Sequence, residues 1–215
     1  MREFSRDTLV ETIRRFRHRP PKWDVFLSYA SEDRETVVRP LYQNLCKLGL
    51  EVWFDISEYS RDEGWPGILY RFIHEGVACS RVGVVVLSPE YVHKCKIWTT
   101  DEYFGLRVKG GSTLFYILHS AEPQLISALD DELSARIRGG DACFLHGGDP
   151  EVISALDDNL AARIRDGVVC IASTATTSIE KIAQKIDDFI KAVSASGVRA
   201  DSANESETNK RDETA

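Results

Sequence analysis

The segment Trp98-Thr-Thr-Asp-Glu102 combines an aromatic plane and a carboxylate at a spacing that can support chemistry. Residues four apart share one face of a helix, so Trp98 and Glu102 are expected side by side. The segment follows the apolar run 82–87, which is typical of a buried parallel strand. Open α/β sheets bind ligands beyond the carboxyl ends of such strands, and this pair could act on a sugar–base bond there. The alternative is a half-buried Trp beside a solvated Glu.

Short apolar runs alternate with helical patterns through the middle of the chain, which indicates βαβ units and a parallel sheet. The predicted strands are 24–29, 50–54, 82–87, 113–118 and 168–172. Apolar residues at helical spacing predict helices over 37–48, 69–77 and 179–190, with Gly49 ending the first of them.

A tandem duplication precedes the last predicted strand. Residues 118–144 recur as 145–171 at an offset of 27 residues, and Pro123–Arg138 returns almost unchanged as Pro150–Arg165. Each copy reads as one helix followed by one short strand. Two placements of the extra copy are open: it forms either an added helix and edge strand or a bulky loop. The insertion need not have a function.

Composition excludes several classes of protein. A net charge of −7 and a pI near 5.3 argue against general nucleic-acid binding. No apolar run approaches the roughly 20 residues that span a bilayer, so a membrane role is not expected. The five cysteines form no Cys-x-x-Cys pair, and we expect them to be reduced, buried thiols of a cytoplasmic protein. No metal site is expected, because His93 and Cys95 are too sparse a set.

Three regions are expected along the chain. Residues 1–22 are a basic lead-in with helical spacing, which docks on a partner or an acidic membrane surface, or else packs on its own domain. Residues 23–193 form one α/β domain. Residues 194–215 contain too few apolar side chains to offset chain entropy and are predicted to be a disordered tail.

Four ordered motifs resemble the TIR (Toll/interleukin-1 receptor) domain family, in its bacterial form. They are Asp24-Val-Phe-Leu-Ser-Tyr-Ala-Ser-Glu-Asp33, Gly49-Leu-Glu-Val-Trp-Phe-Asp55, Val84-Val-Val-Leu-Ser-Pro89 and Trp98 with Glu102. The resemblance implies a flavodoxin-like, doubly wound parallel sheet of five strands in the order 2-1-3-4-5. The family has one helix between the fourth and fifth strands, so one repeat copy is surplus. Because the second copy runs directly into the closing helix, we assign 145–171 to the family pattern and 118–144 to the insertion.

The resemblance also implies an activity. Some TIR domains cleave NAD⁺ at the nicotinamide–ribose bond and need one Glu, at the position that Glu102 occupies here. The chain is therefore expected to be an NAD⁺ glycohydrolase that releases nicotinamide and ADP-ribose or a cyclic isomer, in bacterial immune signalling or host interference. NAD⁺ would be its substrate, with no separate cofactor. The alternatives are a non-enzymatic adaptor that acts by TIR–TIR association and a nucleotide sensor without turnover.

Five further residues are expected to bind substrate by the same resemblance. Asp55 would contact a ribose or else cap a turn, and Trp98 would cover the nicotinamide or else pack in the core. Trp65 lies in the loop that covers the family's site, and Ser28 and Tyr29 would face the diphosphate beside the next helix. The expected partners are NAD⁺ and other TIR domains, in a homo-oligomer or filament.

Overall fold

The structure is a computed structural model, and the residues that it describes are 11, 14–15, 20–54, 67–94, 103, 105–107, 113–120, 142–144 and 169–196. Of the lead-in, Glu11, Arg14 and Arg15 are helical and exposed.

The described elements alternate between strands and helices. In chain order they are β1 (Trp23–Ser28), a 3₁₀ turn (Ser31–Asp33), a π-helical segment (Arg34–Val38), α1 (Arg39–Lys47), β2 (Val52–Trp53), α2 (Gly67–Cys79), β3 (Ser80–Leu87), α3 (Pro89–Lys94), β4 (Leu114–Leu118), β5 (Ala142–Phe144), β6 (Val169–Ser173) and α4 (Ile179–Ser196). Every predicted strand is present, although β2 is shorter than predicted.

All strand pairings in the sheet are parallel, and the strand order is β2-β1-β3-β4-β6-β5. The first five positions reproduce the predicted order 2-1-3-4-5, with β6 as the fifth strand of that pattern. The flavodoxin-like prediction is therefore confirmed. The first repeat copy contributes a sixth strand, β5, which lies at the outer edge of the sheet beyond β6. Of the two open placements, the structure has the added edge strand.

Alternate residues along the strands enter two cores, as expected for a parallel sheet covered on both faces. On one face, Val25, Leu27 and Phe115 pack with apolar residues of α1 and α4, and the Phe115 and Phe189 rings meet edge to face at 5.6 Å. On the other face, Phe26 and Val85 pack with α2 and α3. Both cores are closed by helices, which leaves the carboxyl edge of the sheet as the place for a ligand.

Two differences from the sequence prediction concern the start of α1 and the end of α4. The chain enters α1 through the 3₁₀ turn and the π-helical segment, and such departures from α geometry are common at functional sites. At the other end, α4 continues to Ser196, so residues 194–196, which we assigned to the tail, are helical. Residues 197–215 lie outside the described part of the chain.

Candidate active site

Polar side chains occupy the carboxyl ends of four neighbouring strands. Ser28 ends β1, Ser88 follows β3, His119 follows β4 and Thr174 follows β6. Hydrogen bonds link Ser88 to Asp33 of the 3₁₀ turn and Ser28 to Tyr91 of α3. We call these six residues the carboxyl-edge cluster. The cluster extends over the position between β1 and β3, where the order of the strands reverses. Doubly wound folds bind ligands in the crevice at this position.

Ser88 holds two elements of this cluster together. Its hydroxyl donates a 2.6 Å hydrogen bond to Oδ2 of Asp33, and its Oγ accepts a 3.0 Å hydrogen bond from the backbone N–H of Tyr91. The second bond makes Ser88 the N-cap of α3, with Pro89 in the first helical position, where a missing N–H costs nothing. Ser88 therefore fixes the start of α3 to the turn that follows β1.

Asp33 is a buried acid, with 4% of its surface exposed. Burial raises the pKa of its carboxyl above the ordinary value, because water no longer solvates the anion. The hydrogen bond from Ser88 and the proximity of His119 oppose this rise, while Glu90 and Glu32 add to it. Asp33 is thus the described group at this edge whose charge depends most directly on the packing around it.

Ser28 lies deeper than a substrate-binding residue is expected to lie. Its side chain is fully buried, and its Oγ is 2.9 Å from the Tyr91 hydroxyl, which is also fully buried. Direct contact with a substrate would require this pair to open. The predicted role of Ser28 in substrate binding stays a prediction, and in the structure Ser28 joins the end of β1 to α3.

Tyr29 follows the last residue of β1, and its side chain is half-buried. Its ring stacks on Phe54 at 5.9 Å, and Phe54 stacks in turn on Tyr42 at 4.7 Å. This row of rings ties the ends of β1 and β2 to α1. Phe54 is the residue immediately before Asp55, so the chain is fixed up to the point where the predicted ribose contact begins. Asp55 itself lies outside the described residues.

His119 and Thr174 continue the cluster across β4 and β6. Nδ1 of His119 and Oγ1 of Thr174 are 2.9 Å apart. The backbone N–H of His119 donates a hydrogen bond to the backbone carbonyl of Leu87. Both side chains are half-buried, in contrast to Ser28 and Ser88. The cluster therefore has a buried floor around Asp33 and a partly exposed rim, at which a hydroxyl and an imidazole can meet a polar ligand.

Glu102, Trp98 and Trp65 lie outside the described residues, as Asp55 does, so their predicted roles remain predictions. The chain on both sides of the Trp98–Glu102 segment is nevertheless placed. Before it, α3 is held by the carboxyl-edge cluster. After it, Tyr103 and Leu106 are buried in the same core cluster as Tyr91. Glu102 directly precedes Tyr103 and so adjoins a residue packed against the sheet.

The sequence interpretation missed Asp33, Ser88, Tyr91 and Thr174 as members of the site. A usable signal was present, because Ser28 and Ser88 each come at the carboxyl end of a predicted strand, and such ends meet at one edge of a parallel sheet. Asp33 ends the first of the four quoted motifs, where the sequence analysis gave it no role. Its burial depends on the 3₁₀ turn, which the apolar pattern does not reveal.

Comparison with known proteins identifies the family. The model of the TIR domain family matches residues 25–136, about half of the chain. This chain belongs to the TIR domain family. The match begins in β1 and ends within the first repeat copy, before β5. All of the described carboxyl-edge cluster except Thr174 lies within it.

Several curated relatives are similar to parts of the chain. A 2′ cyclic ADP-D-ribose synthase of Acinetobacter baumannii is 42% identical over 86 residues, which are 40% of this chain and 30% of that protein. An NAD(+) hydrolase of a Theionarchaea archaeon is 33% identical over 119 residues, 54% of this chain and 34% of that protein. A 2′ cyclic ADP-D-ribose synthase of Bacteroides thetaiotaomicron is 35% identical over 85 residues, 40% of this chain and 28% of that protein. The aligned segments span about a third of the length of these relatives.

The described part of the chain contains neither a candidate membrane span nor a candidate metal cluster. Among the helices in this part of the TIR chain, none combines the length and the apolar character needed to cross a bilayer. Within the same residues, no three His, Cys, Asp or Glu side chains come together as metal ligands would.

Proposed function

We propose that this TIR domain is an NAD⁺ glycohydrolase with Glu102 as its catalytic residue. One observation carries the proposal: within a chain of this family, Glu102 stands four residues after Trp98 and next to the buried Tyr103. The relatives named as NAD(+) hydrolase and cyclic ADP-D-ribose synthases support the same chemistry. An adaptor has no chemical need for a carboxylate at this position.

A single carboxylate is sufficient for this reaction. Ordinary glycosidases need one acid to protonate the leaving oxygen and a second carboxylate on the other face of the sugar. Nicotinamide leaves as a neutral molecule from a cationic ring, so no proton has to be supplied. The ribose develops oxocarbenium-like charge, and an ionised Glu102 that bonds its hydroxyls would offset that charge in the transition state.

The other site residues have roles before bond cleavage. Asp55 would bind a ribose, and Trp98 and Trp65 would cover the rings of the substrate. The diphosphate would lie near Tyr29, held by backbone N–H groups of the turn that follows, because the Ser28 hydroxyl is already engaged with Tyr91. NAD⁺ is then the only small molecule that the reaction needs besides water. If water is excluded, a hydroxyl of the substrate replaces it and the product is a cyclic isomer of ADP-ribose.

The biological setting that fits is a cytoplasmic, self-associating TIR enzyme in antiphage defence or host interference. Assembly with other TIR domains would complete the site. The competing function is that of an adaptor or effector that acts by association alone. The sixth strand supports this competing function, because the insertion enlarges one edge of the sheet and a sheet edge is a natural place for contacts between domains.

One experiment separates the two functions. Purified protein is incubated with NAD⁺ and the products are resolved by chromatography, in parallel with the Glu102→Gln variant. If the protein is an NAD⁺ glycohydrolase, the natural sequence releases nicotinamide and the variant releases none. The circular dichroism spectrum of the variant should match that of the natural sequence. Absence of nicotinamide from the natural sequence at every protein concentration favours the adaptor. Equal turnover in both proteins removes Glu102 from the mechanism.

A further inference from the structure

His119 lies where two neighbouring strands of the sheet end beside each other. It follows the last residue of β4, and its backbone N–H donates a 2.9 Å hydrogen bond to the carbonyl of Leu87, the last residue of β3. From there the chain continues through Ser88 and α3 toward Glu102. The His119 side chain is half-buried, so part of its ring is accessible to a ligand at the carboxyl edge of the sheet.

The backbone directly after His119 has an uncommon conformation. Ser120 has a φ of 54°, in the left-handed region that residues other than glycine rarely adopt. Non-glycine residues held in this region cluster at active sites and ligand clamps. Ser120 is exposed, so burial of its own side chain does not account for the turn. The turn that presents His119 is therefore a candidate for a functional position.

Hydrogen bonds to Thr174 indicate which nitrogen of His119 carries the proton. Oγ1 of Thr174 is 2.9 Å from Nδ1 of His119 and 3.3 Å from the carbonyl oxygen of Leu118. A hydroxyl has a single proton to donate, and a carbonyl oxygen can only accept. Thr174 therefore makes both bonds only when its own proton points to Leu118 and the Nδ1–H of His119 donates to Oγ1. In the neutral ring Nε2 is then an acceptor, and it has no hydrogen-bond partner among the described residues.

We propose that His119 is the general base of the NAD⁺ cleavage, with Thr174 as the positioning residue that keeps the proton on Nδ1. This role rests on the proposed function. The bond between ribose and nicotinamide breaks first, and its electron pair leaves with nicotinamide. The oxygen of a water molecule then attacks the ribose carbon, forms the new carbon–oxygen bond and transfers a proton to Nε2 of His119. When a hydroxyl of the substrate replaces water, the same proton transfer gives the cyclic product.

Asp33 supports the charge that this step creates. His119 is close enough to oppose the rise in the pKa of the Asp33 carboxyl. Electrostatic attraction is mutual, so an anionic Asp33 stabilises the imidazolium that forms when Nε2 takes up the proton. Glu102 and His119 then act in different steps. The carboxylate offsets positive charge on the ribose while the bond to nicotinamide breaks, and the imidazole acts when the nucleophile loses its proton.

Labelled nicotinamide separates these two steps. Nicotinamide can re-form its bond to ribose by the reverse of cleavage, which requires no proton removal, whereas capture by water does. The full chain is incubated with NAD⁺ and an excess of deuterated nicotinamide, and mass spectrometry follows both labelled NAD⁺ and ADP-ribose, linear or cyclic. His119→Ala should lower the formation of ADP-ribose by about 10²-fold, a typical contribution of a general base. The same variant should still exchange the label into NAD⁺.

Three matched variants complete the test. His146→Ala is the control, because Leu145-His146 duplicates Leu118-His119 and has no part in the proposed step; its hydrolysis should equal that of the natural sequence. Thr174→Val should lower hydrolysis and keep exchange, whereas Thr174→Ser should keep both. If His119→Ala fails to fold, the two Thr174 variants decide, and equal hydrolysis in them overturns the proposal.

The outcomes separate this proposal from the proposed function. Unchanged hydrolysis in His119→Ala overturns the role of His119 as a base. An equal loss of hydrolysis and exchange overturns it as well, because the residue would then serve binding or folding. Hydrolysis without any exchange in the natural sequence also contradicts the order of steps. If the natural sequence shows neither reaction, the proposed function itself fails, and the role of His119 fails with it.

Discussion

Replacing Asp33 with Asn should stabilise the protein near neutral pH and lose that advantage in acid. The carboxyl is 4% exposed, and burial raises its pKa above the ordinary value of 3.8. A group with a raised folded pKa contributes stability below its unfolded pKa and loses it as the pH rises through the folded pKa. Asn keeps an oxygen that can accept the Ser88 hydrogen bond and carries no charge. The expected gain is about 1.4 kcal/mol for each pKa unit of the rise.

Ser88 provides the second arm of the same experiment. Ser88→Ala removes the hydrogen bond to Asp33 and the N-cap of α3 together. A buried hydrogen bond to a charged group contributes about 1.5–3 kcal/mol, and an N-cap about 1 kcal/mol, so the loss should be about 2.5–4 kcal/mol. In the Asp33→Asn background only the cap and a neutral hydrogen bond are lost, and the cost should be smaller. This difference is the coupling free energy of the pair.

The assay is urea unfolding, followed by circular dichroism from about pH 3, below the unfolded pKa, to about pH 8. Glu35→Gln is the control, because Glu35 is exposed and its hydrogen bond with Arg39 lowers its pKa, which gives the opposite pH dependence. A constant loss of stability in Asp33→Asn at every pH would refute the reasoning, since Asp33 would then be needed as an anion throughout. Equal costs of Ser88→Ala in both backgrounds would show that the 2.6 Å contact carries no coupling.

Three further predictions concern activity and the duplication. Asp55→Ala should mainly raise the apparent KM for NAD⁺, because the proposed ribose contact exists before the bond breaks as well as during cleavage; a loss confined to kcat contradicts that role. Specific activity should rise with protein concentration or crowding if a neighbouring TIR domain completes the site, whereas constant activity over a roughly thousandfold dilution series argues against assembly. Deleting residues 119–145 should join β4 to His146 in unbroken repeat register and leave a folded domain, as judged by a cooperative melting transition; aggregation would mean that β5 is part of the core.

The sheet was predictable because each buried strand is a continuous apolar run. In β3, the residues from Val82 to Leu87 are almost entirely apolar, and the structure buries alternate ones in opposite cores. The order of the strands came from the family resemblance, and β6, at the end of the second copy, pairs with β4 in the fifth position. The family match itself ends within the first copy, at residue 136.

The site was less predictable than the sheet. The presence of a polar residue at the end of a strand does not indicate which side chain it will contact. Ser28 was expected to face a diphosphate, and the sequence did not reveal that its hydroxyl contacts that of Tyr91 in the buried interior. Asp33 becomes a buried acid only through the tight turn that follows β1. Such contacts depend on the angle between elements, which apolar periodicity does not encode.

The position of β5 explains how a sheet of this kind tolerates a duplicated unit in the middle of the chain. The insertion lies between β4 and β6 in sequence, yet β4 and β6 remain paired in space. Because the new strand is placed outside β6, no existing pair has to be broken. Its partner is already suited to it, since β6 carries the equivalent residues at the equivalent register. An internal duplication thereby becomes an addition at the edge, separated by β4 and β6 from the position between β1 and β3 where the strand order reverses.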